Sequence, residues 1–430
     1  MTTELLYQLY LQHPTVTTDS RNCPAGSIFF ALKGDNFNGN KYALSALEKG
    51  CALAVVDEKE FAIDERFVLV EDVLKSLQKL AQHHRISLGL PVIGITGSNG
   101  KTTTKELMAA VLKQRFNVLY TQGNLNNHIG VPLTLLSLKK EHQIAVVEMG
   151  ANHPGEIKDL VEIACPNVGL ITNVGKAHLE GFGSFEGVVK TKSELYDFLR
   201  ETGGQAFVNL DNKILFEKSE GIKRIGYGIE NNNGQVEGRI TGSSPFLEME
   251  WKNYGDATIY ELKTHLIGTY NAENVLAAVC IGRYFDIDSK LICEGINNYI
   301  PQNNRSQLIE TANNKLIVDA YNANPTSMQV ALKNFSQMEA PNKALILGDM
   351  LELGDESPAE HQRIVDLLTE YGFKKVFLIG EYFSKSNTPF PSFPTTDAFI
   401  QTITKQGLKD YYILIKGSRG IKLEGVVEWL

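Results

Sequence analysis

Short apolar runs recur along the chain, each followed by a polar loop and then by residues with helical spacing. Runs at 27–32, 52–56, 92–95, 117–120, 144–148 and 168–171 predict strands, and those at 317–319, 344–347, 375–379 and 411–415 predict more. Between them, 42–49, 73–84, 105–112 and 185–199 carry apolar residues at helical spacing. Strand alternating with helix is the signature of an α/β fold with parallel sheets. The run 144–148 is apolar until its last residue, Glu148, which marks a central strand buried on both faces. From about 224 to 264 the pattern changes. Leu247, Met249 and Trp251 alternate with Glu248 and Glu250, predicting antiparallel strands with one wet face. Beyond 301–304 the α/β alternation restarts. The reading is therefore three domains: a small N-terminal α/β domain at 1–86, a central α/β domain at 87–302 with a parallel sheet and extra antiparallel strands, and a Rossmann-like α/β domain at 303–430. A hinge is expected at 88–91.

Composition alters this little. A length of 430 residues suits two to four domains, and 43% hydrophobic with 21% charged residues is ordinary for a soluble globular protein. A net charge of −8 argues against nonspecific nucleic-acid binding. Five scattered cysteines, with no C-x-x-C pair, read as reduced thiols of a cytoplasmic protein. The first residues lack a basic, then apolar, leader, and no run approaches the roughly 20 apolar residues of a membrane span. A monomer without nucleic-acid or membrane partners is expected.

Candidate chemistry centres on 94–104, Gly-Ile-Thr-Gly-Ser-Asn-Gly-Lys-Thr-Thr-Thr, which follows a strand and opens a helix. Glycines turn backbone N–H groups onto an anion, and the helix N-terminus adds partial positive charge. Gly97, Ser98, Asn99, Gly100, Lys101, Thr102 and Thr103 thus form a phosphate cradle, with Lys101 on the outer phosphates and the Thr102 hydroxyl toward magnesium. The common spacing would put a glycine at Ile95, so this is a variant of the P-loop. Glu148, at a strand's carboxyl end, is placed to reach a magnesium ion or else to cap a neighbouring helix. A glycine-rich loop at 172–184 carries His178; a lone loop histidine is more often only a hydrogen-bonded surface group. Lys192 shares a helical stripe with Phe185, Val188, Val189, Leu195, Tyr196 and Leu199. It is either snorkelling at the core edge or held inward near the phosphates. The loop 123–132 carries three asparagines, which either close turns or read a polar ligand. Asn271 opens a helix, where an N-cap is the plain reading. Unaided, these residues indicate a magnesium–ATP enzyme with its nucleotide on the central domain.

The stretch 94–103, together with 123–136, 319–325, 347–354 and 416–420, resembles the Mur ligases, which build the peptide of bacterial cell-wall precursors, over all three domains. The resemblance implies an ATP-dependent amide-forming ligase. ATP phosphorylates the free carboxylate of UDP-N-acetylmuramoyl-tripeptide, and the amino group of D-alanyl-D-alanine attacks the acyl phosphate. It implies that Thr102 and Glu148 hold a first Mg2+, and that His178 and Lys192 serve a second, Lys192 being carbamoylated. Asn271 would lie near adenine, and Arg305 and Asp319 would contact the nucleotide. Ser20 and Arg21 would meet the uridine diphosphate end, and Asn126 and Asn127 the muramoyl tripeptide. Asn322, Asn324 and Asp349 would help place D-alanyl-D-alanine. This chain departs from the family at Asn38-Gly39-Asn40, where an Asp-Gly-His triplet is common, and at Tyr270, where histidine is common. Two alternatives compete: a ligase of the same chemistry on another substrate, such as a folylpolyglutamate synthase, and a nucleotide-switched binding protein. The 319–325 block argues against the first. Lys192 and the third domain argue against the second.

Overall fold

The computed structural model describes the chain except residues 231–232 and 303–304, and except the side chains of 405 and 406. The boundary expected at 301–304, and with it the start of the third domain at 303, therefore lies partly outside the described residues.

The expected α/β architecture is present as three sheets. The first orders Val16–Thr17, Ile28–Phe30, Leu53–Val56 and Phe67–Leu69, all parallel. The central sheet runs, in spatial order, through Tyr260–Ile267, Phe246–Asn253, Val236–Gly242, Lys223–Gly228, Gln205–Asn209, Val168–Ile171, Val92–Thr96, Ile144–Glu148 and Val118–Tyr120. Only the pairings among its first three strands are antiparallel. As the alternation predicts, Leu247, Met249 and Trp251 are buried there while Glu248 faces solvent. The third sheet orders Gln307–Glu310, Lys315–Asp319, Tyr412–Lys416, Lys343–Gly348, Val376–Ile379 and Ser392–Phe393, antiparallel only at its first strand.

Register places the site. Ile95 pairs with Glu148 and Thr96 with Ile171, so three parallel strands end together and their following loops share one edge. Apolar packing fixes this edge. Val92–Thr96 is buried along its whole length, and Ile93 and Ile95 pack with Leu107, Met108 and Val111 of the helix Lys101–Leu112.

The segment 88–91, expected as a hinge, follows a helix that is itself packed on the central domain. The helix Val73–Leu88 continues to Leu88, is closed by Gly89 at φ 64°, and lies against Gly130–Leu136 and Glu156–Ala164 of the central domain. The Tyr10 hydroxyl donates to the Leu136 carbonyl at 2.6 Å. Buried Arg85 donates to the carbonyls of Ala164 and Cys165 and to Asn167 Oδ1 at 2.7–3.0 Å. The third domain docks elsewhere, on the P-loop side. Asn324 Nδ2 donates to Asn99 Oδ1 at 2.7 Å, and Lys176 Nζ pairs with the buried Glu360 at 2.7 Å. No helix among the described residues is long and apolar enough to cross a membrane, and the five cysteines are unpaired.

Candidate active site

The phosphate cradle is built by close approach. Gly97 has φ 140° and Gly100 φ 78°, both in the region that favours glycine. A Cβ on Gly97 would run into Thr172 Oγ1, and one on Gly100 would lie 2.6 Å from Asn274 Oδ1. The neighbouring loop braces the turn: Ser98 Oγ donates to the Gly175 carbonyl and accepts from its N–H, and Asn173 Oδ1 accepts the Asn99 N–H. Lys101 Nζ folds back to the carbonyls of Gly97, at 2.7 Å, and Ser98, at 3.2 Å. Burial pushes its pKa down to about 8, against the opposing charge of Glu148 and with help from Arg305. A half-buried ammonium that meets two carbonyls as its hydrogen-bond partners among the described residues is ready to exchange them for an anion.

Glu148 is nearly inaccessible and fully engaged. Its carboxylate accepts from the Thr102 hydroxyl at 2.9 Å and from Asn126 Nδ2 at 2.8 Å, with Lys105 Nζ 3.6 Å away. The alternative of a helix-capping acid is thus not what the fold uses. Lys192 is held inward, as one of its two readings had it. It is 2% exposed, donates to the Ala151 carbonyl at 3.2 Å, and sits 5.3 Å from the centre of the Phe182 ring. Burial, and next the charge of Lys101, hold its pKa well below the ordinary lysine range. His178 also packs edge-on against Phe182, ring centres 6.3 Å apart, and its Nδ1 is in ion-pair contact with Glu352 of the third domain. Glu194, which the sequence left without a role, caps the helix Glu156–Ala164 by accepting the N–H groups of Gly155 and Lys158.

A cavity of about 940 Å³ opens over this edge and is lined from all three domains. Of the residues singled out in the sequence, Ser98–Thr103, Asn126, Asn127, Glu148, His178, Asn271, Arg305, Asp319 and Asn322 line it. Asn271 occupies the N-cap position of the helix Ala272–Tyr284, as the plain reading had it, but its side chain makes no capping hydrogen bond. Its Nδ2 donates to the Ile267 carbonyl and its Oδ1 accepts from Asn274. Asn127 lines the cavity and also closes a turn, accepting the N–H groups of Ile129 and Gly130. The Arg305 guanidinium stacks on Tyr321 at 3.9 Å, and its buried Nε has no hydrogen-bond partner among the described residues. Asp319 accepts from Lys416 Nζ at 2.5 Å.

Several of the expected site residues lie outside the cavity lining. Asp349 is buried, and its carboxylate accepts the N–H groups of Tyr382 and Phe383, so it holds loops of the third domain together and does not line the cavity. Asn324 caps the helix Pro325–Gln337 and reaches Asn99, again outside the cavity lining. Asn38 and Asn40 tie their loop to Glu58 and Asp57. Ser20 and Arg21 lie apart from the cavity, on the loop following the first strand of the N-terminal sheet, where Arg21 pairs with Asp19. Sequence reading missed Lys105, Asn274, Tyr321 and Lys416. Lys105 stands one helical turn from Lys101, and Lys416 ends an apolar strand, so position alone could have flagged both.

Among the described residues no three histidine, cysteine or carboxylate side chains gather into a metal-binding group. Residues 14–85, 95–282 and 304–419 match, in turn, the Mur ligase family catalytic domain, the Mur ligase middle domain and the Mur ligase glutamate ligase domain. The chain is 33% identical to a UDP-N-acetylmuramoyl-tripeptide–D-alanyl-D-alanine ligase of Bacillus subtilis, over 96% of this chain and 92% of that protein. It is 34% identical to the Escherichia coli protein of the same name, over 96% and 93%. Among solved structures, MurF from Acinetobacter baumannii superposes with a TM-score of 0.88 at 30% identity, covering 99% of this chain and 98% of that one. MurF ligase from Thermotoga maritima in complex with ADP superposes at 0.85 and 26% identity, covering 97% of each.

Proposed function

The chain belongs to the Mur ligase family, and from that premise we propose that it joins D-alanyl-D-alanine to the terminal carboxylate of UDP-N-acetylmuramoyl-tripeptide with cleavage of ATP. The products are UDP-N-acetylmuramoyl-pentapeptide, ADP and phosphate. The observation that carries this reading is the P-loop cavity lined from three domains, on a chain alike along its whole length to D-alanyl-D-alanine ligases.

The carboxylate is a poor electrophile, and phosphorylation supplies its leaving group. Carboxylate and γ-phosphate are both anions, so their approach needs cations already in place. Lys101, Arg305 and Lys416 line the cavity and supply them. Lys101 exchanges its two carbonyls for phosphate oxygens, while the backbone from Gly97 to Thr103 takes the rest. Asn271 faces adenine, and Asp319 with Arg305 faces the nucleotide from the third domain. Asn126 and Asn127 meet the muramoyl tripeptide, and Asn322 helps place the dipeptide. Ser20 and Arg21, at the carboxyl end of the first sheet, meet the uridine diphosphate.

The donors fit a divalent cation. The hydroxyl of Thr102 and the carboxylate of Glu148, 2.9 Å apart, are the hard oxygens magnesium prefers. His178 and Lys192 would serve a second ion only with Lys192 as its carbamate, because an ammonium repels the metal. The buried amine with a depressed pKa supports that modification, since carbon dioxide reacts with the uncharged amine. When bound, magnesium supplies further neutralisation of the phosphate oxygens.

Phosphate release from ATP is expected only with UDP-muramoyl-tripeptide and D-alanyl-D-alanine both present. Equal turnover with single amino acids such as D-glutamate or L-lysine would remove the dipeptide assignment. ATP hydrolysis indifferent to every acceptor would instead favour a nucleotide-switched binding protein.

A further inference from the structure

The loop 349–354 of the third domain crosses to the central domain and ends against His178. We propose that Glu352 is a positioning residue for His178, delivered by the third domain, which settles the ring's proton on Nδ1 and leaves Nε2 for a divalent cation. This deepens the ligase reading above and rests on His178 serving a metal.

His178 Nδ1 is buried and makes no hydrogen bond of ordinary geometry among the described residues, while Glu352 Oε2 lies against it in ion-pair contact. Nε2 has no hydrogen bond among the described residues, and the ring lines the cavity. Both residues have left-handed backbones, His178 at φ 52° and Glu352 at φ 64°. That conformation is uncommon for side-chain-bearing residues and persists where surrounding structure imposes it. The backbones meet as well, the Glu180 N–H donating to the Glu352 carbonyl at 3.3 Å. The loop behind Glu352 is anchored on three sides. Asp349 accepts the Tyr382 and Phe383 N–H groups, the Met350 N–H donates to buried His361 Nε2 at 3.0 Å, and the Leu351 N–H donates to Ser418 Oγ at 2.9 Å.

A metal-ligating histidine ordinarily gives its other ring N–H to a carboxylate, which orients the ring and strengthens it as a ligand. Here that carboxylate belongs to another domain. With the third domain docked, Glu352 would hold the His178 ring in place for a cation, which ties that site to the contact between the two domains. Glu352 itself does not line the cavity, which separates its action from substrate contact.

The test uses the full chain with a non-hydrolysable ATP analogue and UDP-muramoyl-tripeptide. Mn2+ binding is followed by electron paramagnetic resonance, beside the Mg2+ dependence of phosphate release. Glu352→Ala is expected to raise the half-saturating metal concentration about ten- to a hundredfold. Glu352→Gln, whose amide oxygen still accepts the N–H, should lie between it and the unaltered protein. On a His178→Ala background, Glu352→Ala should cost nothing further. An unchanged metal midpoint in Glu352→Ala, or full additivity with His178→Ala, would overturn the proposal. Failure of the ligase reading would look different: the unaltered protein would release no acceptor-dependent phosphate, while the Mn2+ titration would still report on Glu352. Glu352 is half exposed, so its variants keep the fold.

Discussion

Lys192 concentrates the residue-scale argument. A lysine amine buried against a ring and a single carbonyl loses more by desolvation, and by the charge of Lys101, than Glu156 and Glu194 return, so the uncharged form is favoured more than in an ordinary lysine. That is the form carbon dioxide converts to a carbamate. Both Lys192→Ala and the charge-conserving Lys192→Arg should therefore lower kcat on the order of a hundredfold or more, the usual effect of losing one preorganised electrostatic partner. Near-normal phosphate release in either variant would sink the carbamate role. A carbamate carbon resonance in 13C-bicarbonate, lost in Lys192→Arg, would be its direct sign. Gly97 makes a second case. With φ 140° and Thr172 Oγ1 where a Cβ would sit, Gly97→Ala must shift the turn. Backbone strain alone costs about 1–3 kcal/mol. The urea midpoint should fall and ATP-analogue binding should weaken; a variant that binds as before would show that the cradle tolerates a side chain. Helical spacing put Lys192 on the buried stripe in advance. No spacing rule shows that Glu148 is already held by Thr102, Asn126 and Lys105, because the helix Lys101–Leu112 and the loop that carries Asn126 are separate from its own strand.

At the scale of elements, the helix Val73–Leu88 decides how the first domain sits. It was legible as a helix from its apolar spacing, but its partners were not. Buried His84 faces the Leu138 carbonyl through Nε2 at 2.9 Å and the Tyr7 hydroxyl through Nδ1 at 3.3 Å. The neutral ring donating from Nε2 satisfies both. Burial lowers its pKa below the ordinary 6.5. The sign follows: above about pH 6.5 both folded and unfolded chains hold it neutral, and as pH falls the unfolded chain takes up the proton first. Stability is therefore lost as pH drops through and below 6.5. In His84→Gln this dependence should flatten, so the gap in urea midpoint between parent and variant should narrow from pH 7.5 to pH 5.5. A gap that widens on acidification would mean that His84 is charged in the folded protein.

For the whole molecule, the third domain is held to the central one by polar contacts on the loops around the cradle. Lys176 pairs with Glu360 and Glu356, its N–H donates to Thr326, and Asn324 meets Asn99. Glu360 is buried, so removing Lys176 leaves its carboxylate in a poor solvent with only the more distant Arg363, at 3.9 Å, as a cation among the described residues. Lys176→Met should open the molecule, seen as a larger radius of gyration in solution X-ray scattering without ligands, and should raise KM for both substrates more than it lowers kcat. An unchanged radius would show that the remaining contacts suffice to dock the domain.

The chain's own pattern determined the three α/β units, the antiparallel extension, the phosphate cradle and the strand-end acid. Each is written locally, in side-chain period or in a glycine spacing that backbone geometry demands. Only the tertiary structure decided that the helix before 88–91 packs on the central domain and that Asp349 and Asn324 brace loops. It alone placed Glu352 on His178, and Lys101, Arg305 and Lys416 around one cavity. Those facts depend on which segments pack together and on the rotamers that packing permits. Residues more than a hundred positions apart meet there for reasons no local period records.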